Sequence, residues 1–220
     1  MSMVGQFADR REAGRQLAAA LERFRSTAAV VLGLPRGGVP VAYEIATALE
    51  LPLDVYIVRK LGVPGHRELA MGAIASGGTK VIDDELIQEL GIPEAAIAAV
   101  IAEEERELAA RERLFATADR IPLEGRTVIL VDDGLATGST MRAAVRAVRQ
   151  QQPAKVVVAV PVGAPSTCKA LEQEADEVVC LQTPEPFSAV GLWYRRFDQT
   201  PDDEVRALLA AAHRRHLRPH

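Results

Sequence analysis

The sequence predicts an α/β fold: a central, mostly parallel sheet flanked by helices, in a single domain of 220 residues. Three observations predict it. Short continuous apolar runs such as "AAVVLG", "TVILV" and "AKVVVAVPV" read as strands buried on both faces. Stretches with apolar positions three to four apart separate them and read as helices. Strands and helices alternate at lengths that build parallel βαβ units with both sheet faces covered. The chain is long enough to bury one core with decorations.

The elements follow in order. "DRREAGRQLAAALERF" is helical, "AAVVLGLP" a buried strand, "GVPVAYEIATALEL" a helix and "PLDVYIVRKLG" a strand. "AMGAIASGGTKVID" reads as a hairpin turning at "SGGT". A helical segment follows, broken at residues 91–93, and its second part is long and charged. It is the one stretch that looks inserted, over about residues 84–120. Its run "EEERELAARER" reads as a solvated face with ion pairs inside the helix. Ile97, Val100, Ile101 and Leu108 on the same helix still need a cover, so the helix is also read as a partner or dimer surface, and a homodimer is expected. "TVILVDD" is a strand, "GSTMRAAVRAVRQQQ" a helix, "AKVVVAVPVG" a strand, "PSTCKALEQEA" a helix, "DEVVCL" a strand and "PDDEVRALLAAAHRRH" a closing helix.

Composition narrows the function. The net charge is −4, which gives no reason to expect nucleic-acid binding, and the basic run "HRRHLRPH" is local. Cys168 and Cys180 make neither a disulfide framework nor a metal spacing, so reduced thiols are expected. The N-terminus carries charges where a signal peptide needs an apolar run, and no apolar segment reaches membrane-spanning length. A cytoplasmic protein with no membrane partner is expected.

In open α/β sheets, ligands bind beyond the carboxyl ends of the strands. Three loops leaving strand ends there carry chemistry: "LPRGGVP" at residues 34–40, "VRKLGVPGHRE" at residues 58–68 and the one within "VILVDDGLATGST" at residues 128–140. In the last, Asp132 and Asp133 end an apolar strand, where mutual repulsion and desolvation both work against them. A useful role is to accept hydrogen bonds from a diol or to face a cation indirectly. "ATGST" then offers amides and the hydroxyls of Thr137, Ser139 and Thr140 at a helix N-terminus, where a phosphate is favoured. A Walker A loop does not fit, because no Lys follows Gly138. A sugar diol and a phosphate on one molecule fit both halves.

The stretch "VILVDDGLATGST" resembles the 5-phosphoribosyl-1-pyrophosphate (PRPP) motif of type I phosphoribosyltransferases. "LPRGGVPVA", "RKLGVPG", "ELAMGAIA" and a C-terminal "WY..F.Q..D.EV" are similar to a less studied branch of that family, provisionally named phosphoribosyltransferases. The resemblance implies a type I phosphoribosyltransferase-like fold with a hood, here within the C-terminal residues at about 183–216. It implies transfer of the 5-phosphoribosyl group from PRPP to an acceptor, with release of pyrophosphate. Asp132 and Asp133 would bind the ribose hydroxyls, and Ala136, Thr137, Gly138, Ser139 and Thr140 would wrap the 5-phosphate. Pro35, Arg36, Gly37 and Gly38 would form the pyrophosphate loop, which in that family often holds a strained peptide. Arg59 and Lys60 would neutralise pyrophosphate, while Mg²⁺ would bind mainly through PRPP, with no residue here assigned as its ligand. Asp132, Asp133, Arg36 and Lys60 form the expected catalytic set.

The acceptor is expected to be a small molecule that the sequence leaves unidentified: a nucleobase, adenine included, or an unrelated nitrogen or oxygen nucleophile. Phe187, Trp193, Tyr194 and Phe197 either stack on it or pack the C-terminal helix onto the core. Enzymes of this family for 6-oxopurines place an Asp where Ala136 stands, so hypoxanthine and guanine are not expected. The alternative function is a non-catalytic PRPP- or nucleotide-binding regulator on the same fold. Arg36, Arg59 and Lys60 favour the enzyme, since a sensor need not handle pyrophosphate.

Overall fold

The computed structural model describes residues 5–115 and 120–216. Residues 116–119 of the expected insertion and 217–220 of the basic run lie outside them. Helix α1 (Arg10–Ala20) starts at Asp9, whose carboxylate accepts from the Glu12 amide. Strand β1 (Val30–Gly33) leads through a short turn into α2 (Gly38–Leu49) and then β2 (Leu53–Val55). Strands β3 (Val58–Val63), β4 (His66–Ala75) and β5 (Thr79–Ile82) form a separate antiparallel sheet. Asp83 caps α3 (Asp84–Leu90), left-handed Gly91 ends it, and α4 (Glu94–Leu114) follows. The rest alternates: β6 (Thr127–Val131), α5 (Ser139–Arg149), β7 (Lys155–Val162), α6 (Pro165–Leu171), β8 (Glu177–Gln182) and finally α7 (Asp202–His216).

The main sheet is parallel throughout, in the order β2-β1-β6-β7-β8. Its strands read as unbroken apolar runs because helices cover both faces. Alternate residues divide between two cores. Val31, Ile129, Val131, Val157 and Ala159 face the side of α1, α2 and α7. Val30, Leu32, Val128, Leu130, Val156 and Val158 face the side of α5 and α6. The carboxyl ends of β1 and β6, adjacent in register at Gly33 and Val131, carry the two turns of interest.

Three expectations change. "PLDVYIVRKLG" is not one strand, because Tyr56 and Ile57 turn the chain from the parallel sheet into the small one. Both are buried, and each belongs to a different core. The Tyr56 amide bonds the Gly33 carbonyl and the Ile57 amide bonds the Ser76 hydroxyl, so the corner needs no Gly or Pro. "VRKLGVPGHRE" is not a loop either: β3 and β4 pair as far as Val63 and His66. The charges of α4 also pair outward. Glu104 reaches Arg59 and Glu105 reaches Lys80, both on the small sheet. Ile97, Val100 and Ile101 pack against the core that holds Leu61, Met71 and Ile74. The cover those positions require is therefore found within the chain.

Helix α1 lies close on α2 because Gly14 has no side chain. An added Cβ would stand 2.7 Å from the Val41 carbonyl and 2.8 Å from the Glu44 Cβ. Gly14→Ala is expected to destabilise the protein in urea unfolding, with overpacking of about 1–3 kcal/mol exceeding a helix-propensity gain of about 1 kcal/mol. An unchanged or raised midpoint would contradict that packing.

Candidate active site

The site forms where the turns after β1 and β6 meet. Their closeness depends on two glycines. A Cβ on Gly37 would stand 2.0 Å from Asp133 Oδ2, and one on Gly38 would stand 2.5 Å from the Val131 carbonyl. So "RGG" is glycine-rich first because the neighbouring turn occupies that space. The Pro35–Arg36 peptide in this turn is cis. Arg36 is half-buried, and its Nη1 lies 3.7 Å from Asp202 Oδ1 at the start of α7.

Asp132 and Asp133 are held differently. Asp132 Oδ1 accepts the Asp133 amide at 2.9 Å, and Asp133 Oδ2 accepts Arg10 Nε at 2.8 Å. Each carboxylate keeps one oxygen with no hydrogen bond among the described residues. Burial pushes the Asp132 carboxyl well above its ordinary value, and the Asp133 charge adds to this. Burial also raises Asp133, with the Arg10 guanidinium opposing it. The pair therefore retains a proton more readily than isolated acids do, and Asp132 is the better site for it.

Beyond them lies the cradle. Gly138 is the N-cap of α5, with φ 70°. A Cβ there would also meet Thr167 Cγ2 at 2.4 Å, so position and conformation both call for glycine. Thr167 donates to the Ala136 carbonyl at 2.7 Å and fixes the loop from α6. The amides of Ala136, Thr137, Gly138, Ser139 and Thr140 have no acceptor among the described residues. Apart from Gly138, these residues are exposed. Free amides at a helix start are an anion site.

The basic pair "RK" separates, because successive strand residues point to opposite faces. Lys60 Nζ lies 3.4 Å from Ser139 Oγ, beside the cradle. Arg59 turns to Glu104 of α4 at 2.7 Å. Lys60, Gly72, Ala73, Ile82, Ser139 and Arg142 border a cleft of about 570 Å³ that keeps Lys60 and Ser139 open. His66 and Glu68 are exposed on the hairpin.

The aromatic residues mostly pack. Tyr194 is buried between Phe7, 5.5 Å away, and Phe197, 5.0 Å away and stacked on it. Its hydroxyl donates to the Asp133 carbonyl at 2.6 Å. Arg10 lies 4.0 Å over the Phe197 ring, and Phe187 and Trp193 are half-buried in the same cluster. Sequence reasoning missed Arg10 and Thr167, which lie far along the chain from the acids and the loop they hold. The one local signal at Arg10 was Asp9, a residue suited to starting a helix.

A sequence profile described as the phosphoribosyl transferase domain matches residues 4–195. The chain belongs to the phosphoribosyl transferase family. Proteins from two strains of Mycobacterium tuberculosis, CDC 1551 / Oshkosh and H37Rv, provisionally named phosphoribosyl transferases, are each 52% identical over 209 residues. That span is 94% of this chain and 47% of each of theirs, so the chain covers about half the length of these relatives. The crystal structure of TT1426 from Thermus thermophilus superposes with a TM-score of 0.85 at 43% identity, over 94% of this chain and 98% of that one. The fold is thus a type I phosphoribosyltransferase fold. Among the described residues, no helix is long and apolar enough to cross a membrane, and no three His, Cys, Asp or Glu side chains gather to hold a metal ion.

Asp132 works against stability. Its folded-state affinity for a proton exceeds that of an unfolded aspartate, so stability falls as pH rises from about 4 through the raised value. Asp132→Asn is therefore expected to melt higher than wild type at about pH 8, by a few degrees, roughly 1 kcal/mol in a domain of this size. The gap should close toward pH 4. A lower melting temperature at pH 8 would contradict the buried repulsion.

Proposed function

We propose that the protein binds PRPP at residues 132–140 and transfers its 5-phosphoribosyl group to a small-molecule acceptor, releasing pyrophosphate. One observation carries this most directly. Two carboxylates, each with one unengaged oxygen, stand next to a row of amides without acceptors. Vicinal ribose hydroxyls would donate to the former, and the 5-phosphate would accept from the latter.

The chemistry follows from the ligand. The bond between ribose C1 and the pyrophosphate oxygen breaks, and a bond from C1 to the acceptor forms. Negative charge grows on pyrophosphate and positive charge on the sugar. Arg36 would meet the first. Its present partner Asp202 is a loose, partly exposed contact at 3.7 Å and is cheaply exchanged for a phosphate oxygen. Asp132 and Asp133 would offset the second across a crevice from which water is partly excluded. Lys60 would add a positive charge beside the 5-phosphate. Mg²⁺ would be held mainly through PRPP, with Asp132 and Asp133 supporting its charge from beside the ribose hydroxyls. When bound, it would supply Lewis-acid stabilisation of the leaving pyrophosphate.

The acceptor is limited by two residues. Ala136 has no side chain to hold or move a proton at a purine nitrogen, help otherwise worth about 10²–10⁴-fold. Tyr194 is committed to Asp133 and to its aromatic neighbours, so half-buried Phe187 and Trp193 are the aromatic groups left to contact a ring.

Calorimetry with Mg–PRPP should show binding to wild type and at least about tenfold weaker binding to Asp133→Asn combined with Thr140→Ala. Equal affinity would place the site elsewhere. Arg36→Ala should weaken PRPP and pyrophosphate far more than ribose 5-phosphate, and equal losses for all three would remove its assigned role. A screen of acceptors for pyrophosphate release decides between the enzyme and a binding-only regulator, which would release none with any of them. Hypoxanthine and guanine are expected to fail. Turnover with either at about 1 s⁻¹ or faster would show that Ala136 is no barrier.

A further inference from the structure

Helix α1 carries no part of the PRPP motif, yet its first residue reaches the acid pair. We propose that Arg10 is a positioning residue for ribose binding: it fixes the orientation of Asp133 and sets a positive charge against that carboxylate, so that Oδ1 can accept from a ribose hydroxyl. This rests on the reading of Asp132 and Asp133 as the ribose site.

The geometry is specific to arginine. Nε donates to Asp133 Oδ2 at 2.8 Å, Nη1 donates to the Asp198 carbonyl at 2.6 Å, and the flat face lies 4.0 Å over Phe197. A lysine could keep the charge and one contact but not all three. The Arg10 and Asp133 side chains are only 13% and 15% exposed, so the pair is screened little by solvent. Removing one partner would leave the other buried and uncompensated. Asp133 Oδ2 occupies the space that a Gly37 side chain would fill, and Tyr194 holds the Asp133 backbone by its carbonyl.

The charges around Asp133 leave the task to Arg10. Asp132, from the same turn, repels it. Tyr194, from the hood, is a neutral donor whose ionisation is pushed far up by burial and by Asp133. Arg36, from the turn before α2, points to Asp202. Arg196, also in the hood, pairs with Asp9. The segment before α1 is in turn bonded to the hood: the Phe7 amide donates to the Trp193 carbonyl, and the Arg195 and Arg196 amides donate to Phe7 and Ala8. Arg10 thus reaches the ribose acid from a base made by both chain ends.

The test is a carboxyl ¹³C NMR titration of the ligand-free protein from about pH 4 to about pH 9, with Asp133 assigned by its loss in Asp133→Asn. PRPP calorimetry at about pH 6 and about pH 8 accompanies it. In Arg10→Met the Asp133 midpoint should move up, and in Arg10→Lys it should stay nearer wild type. PRPP binding to Arg10→Met should weaken by about tenfold or more at the lower pH and by less at the higher pH, where the carboxylate ionises regardless. Adding Arg10→Met to Asp133→Asn should cost little further affinity. An unmoved midpoint overturns the proposal. So does a loss of equal size at both pH values that persists in the Asp133→Asn background, since Arg10 would then only brace the hood. A shifted midpoint with PRPP binding indifferent to both Arg10→Met and Asp133→Asn overturns the ribose reading instead, and with it the purpose given to Arg10.

Discussion

Two carboxylates held side by side at the end of a buried strand are the feature on which the rest of the site depends. Asp132 and Asp133 follow β6, whose four last residues are fully buried, and nothing in the core benefits from them. Burial and repulsion both oppose their ionisation. Their surroundings limit that cost without removing it. The Asp133 amide serves Asp132, Arg10 serves Asp133, and the two glycines after Arg36 let a backbone come close without adding bulk. A ligand that supplies two hydroxyl donors and a developing positive charge relieves what remains. A destabilising arrangement kept in this way is what a binding site looks like when stability alone is not the constraint.

The chain ends complete what the sheet begins. A parallel sheet delivers the turns after β1 and β6 to the same edge because those strands are neighbours. A phosphate there would need little more, since the start of α5 provides free amides by its own geometry. A ribose would need more, because the carboxylate it meets would have to stay charged in a half-dry crevice. Arg10 from the N-terminal helix and Tyr194 from the C-terminal segment after β8 meet at Asp133 from opposite ends of the sequence. Phe7, Tyr194 and Phe197 pack ring against ring at that junction.

Much of this was legible in the sequence, and the exceptions have physical causes. The parallel strands announced themselves because burial on both faces demands unbroken apolar runs. Residues 128–140 were legible as a candidate site because strand, acids and helix start are continuous in the chain. The corner at Tyr56 and Ile57 was hidden because it is built from buried side chains and two long-range hydrogen bonds, not from turn residues. Arg59 and Lys60 looked like one basic patch until strand alternation sent one to α4 and the other to the cradle. Arg10 was hidden because its partner lies 123 positions away, and an arginine at the start of a helix has no signature of its own.

The most direct measurement is a crystal structure of the protein with Mg²⁺ and PRPP bound. The expected result places one ribose hydroxyl on Asp132 Oδ2 and the other on Asp133 Oδ1. The 5-phosphate should sit against the amides of residues 137–140, and the pyrophosphate should be turned toward Arg36. PRPP bound with its phosphate away from the start of α5, or with its hydroxyls away from the acid pair, would contradict the central claim.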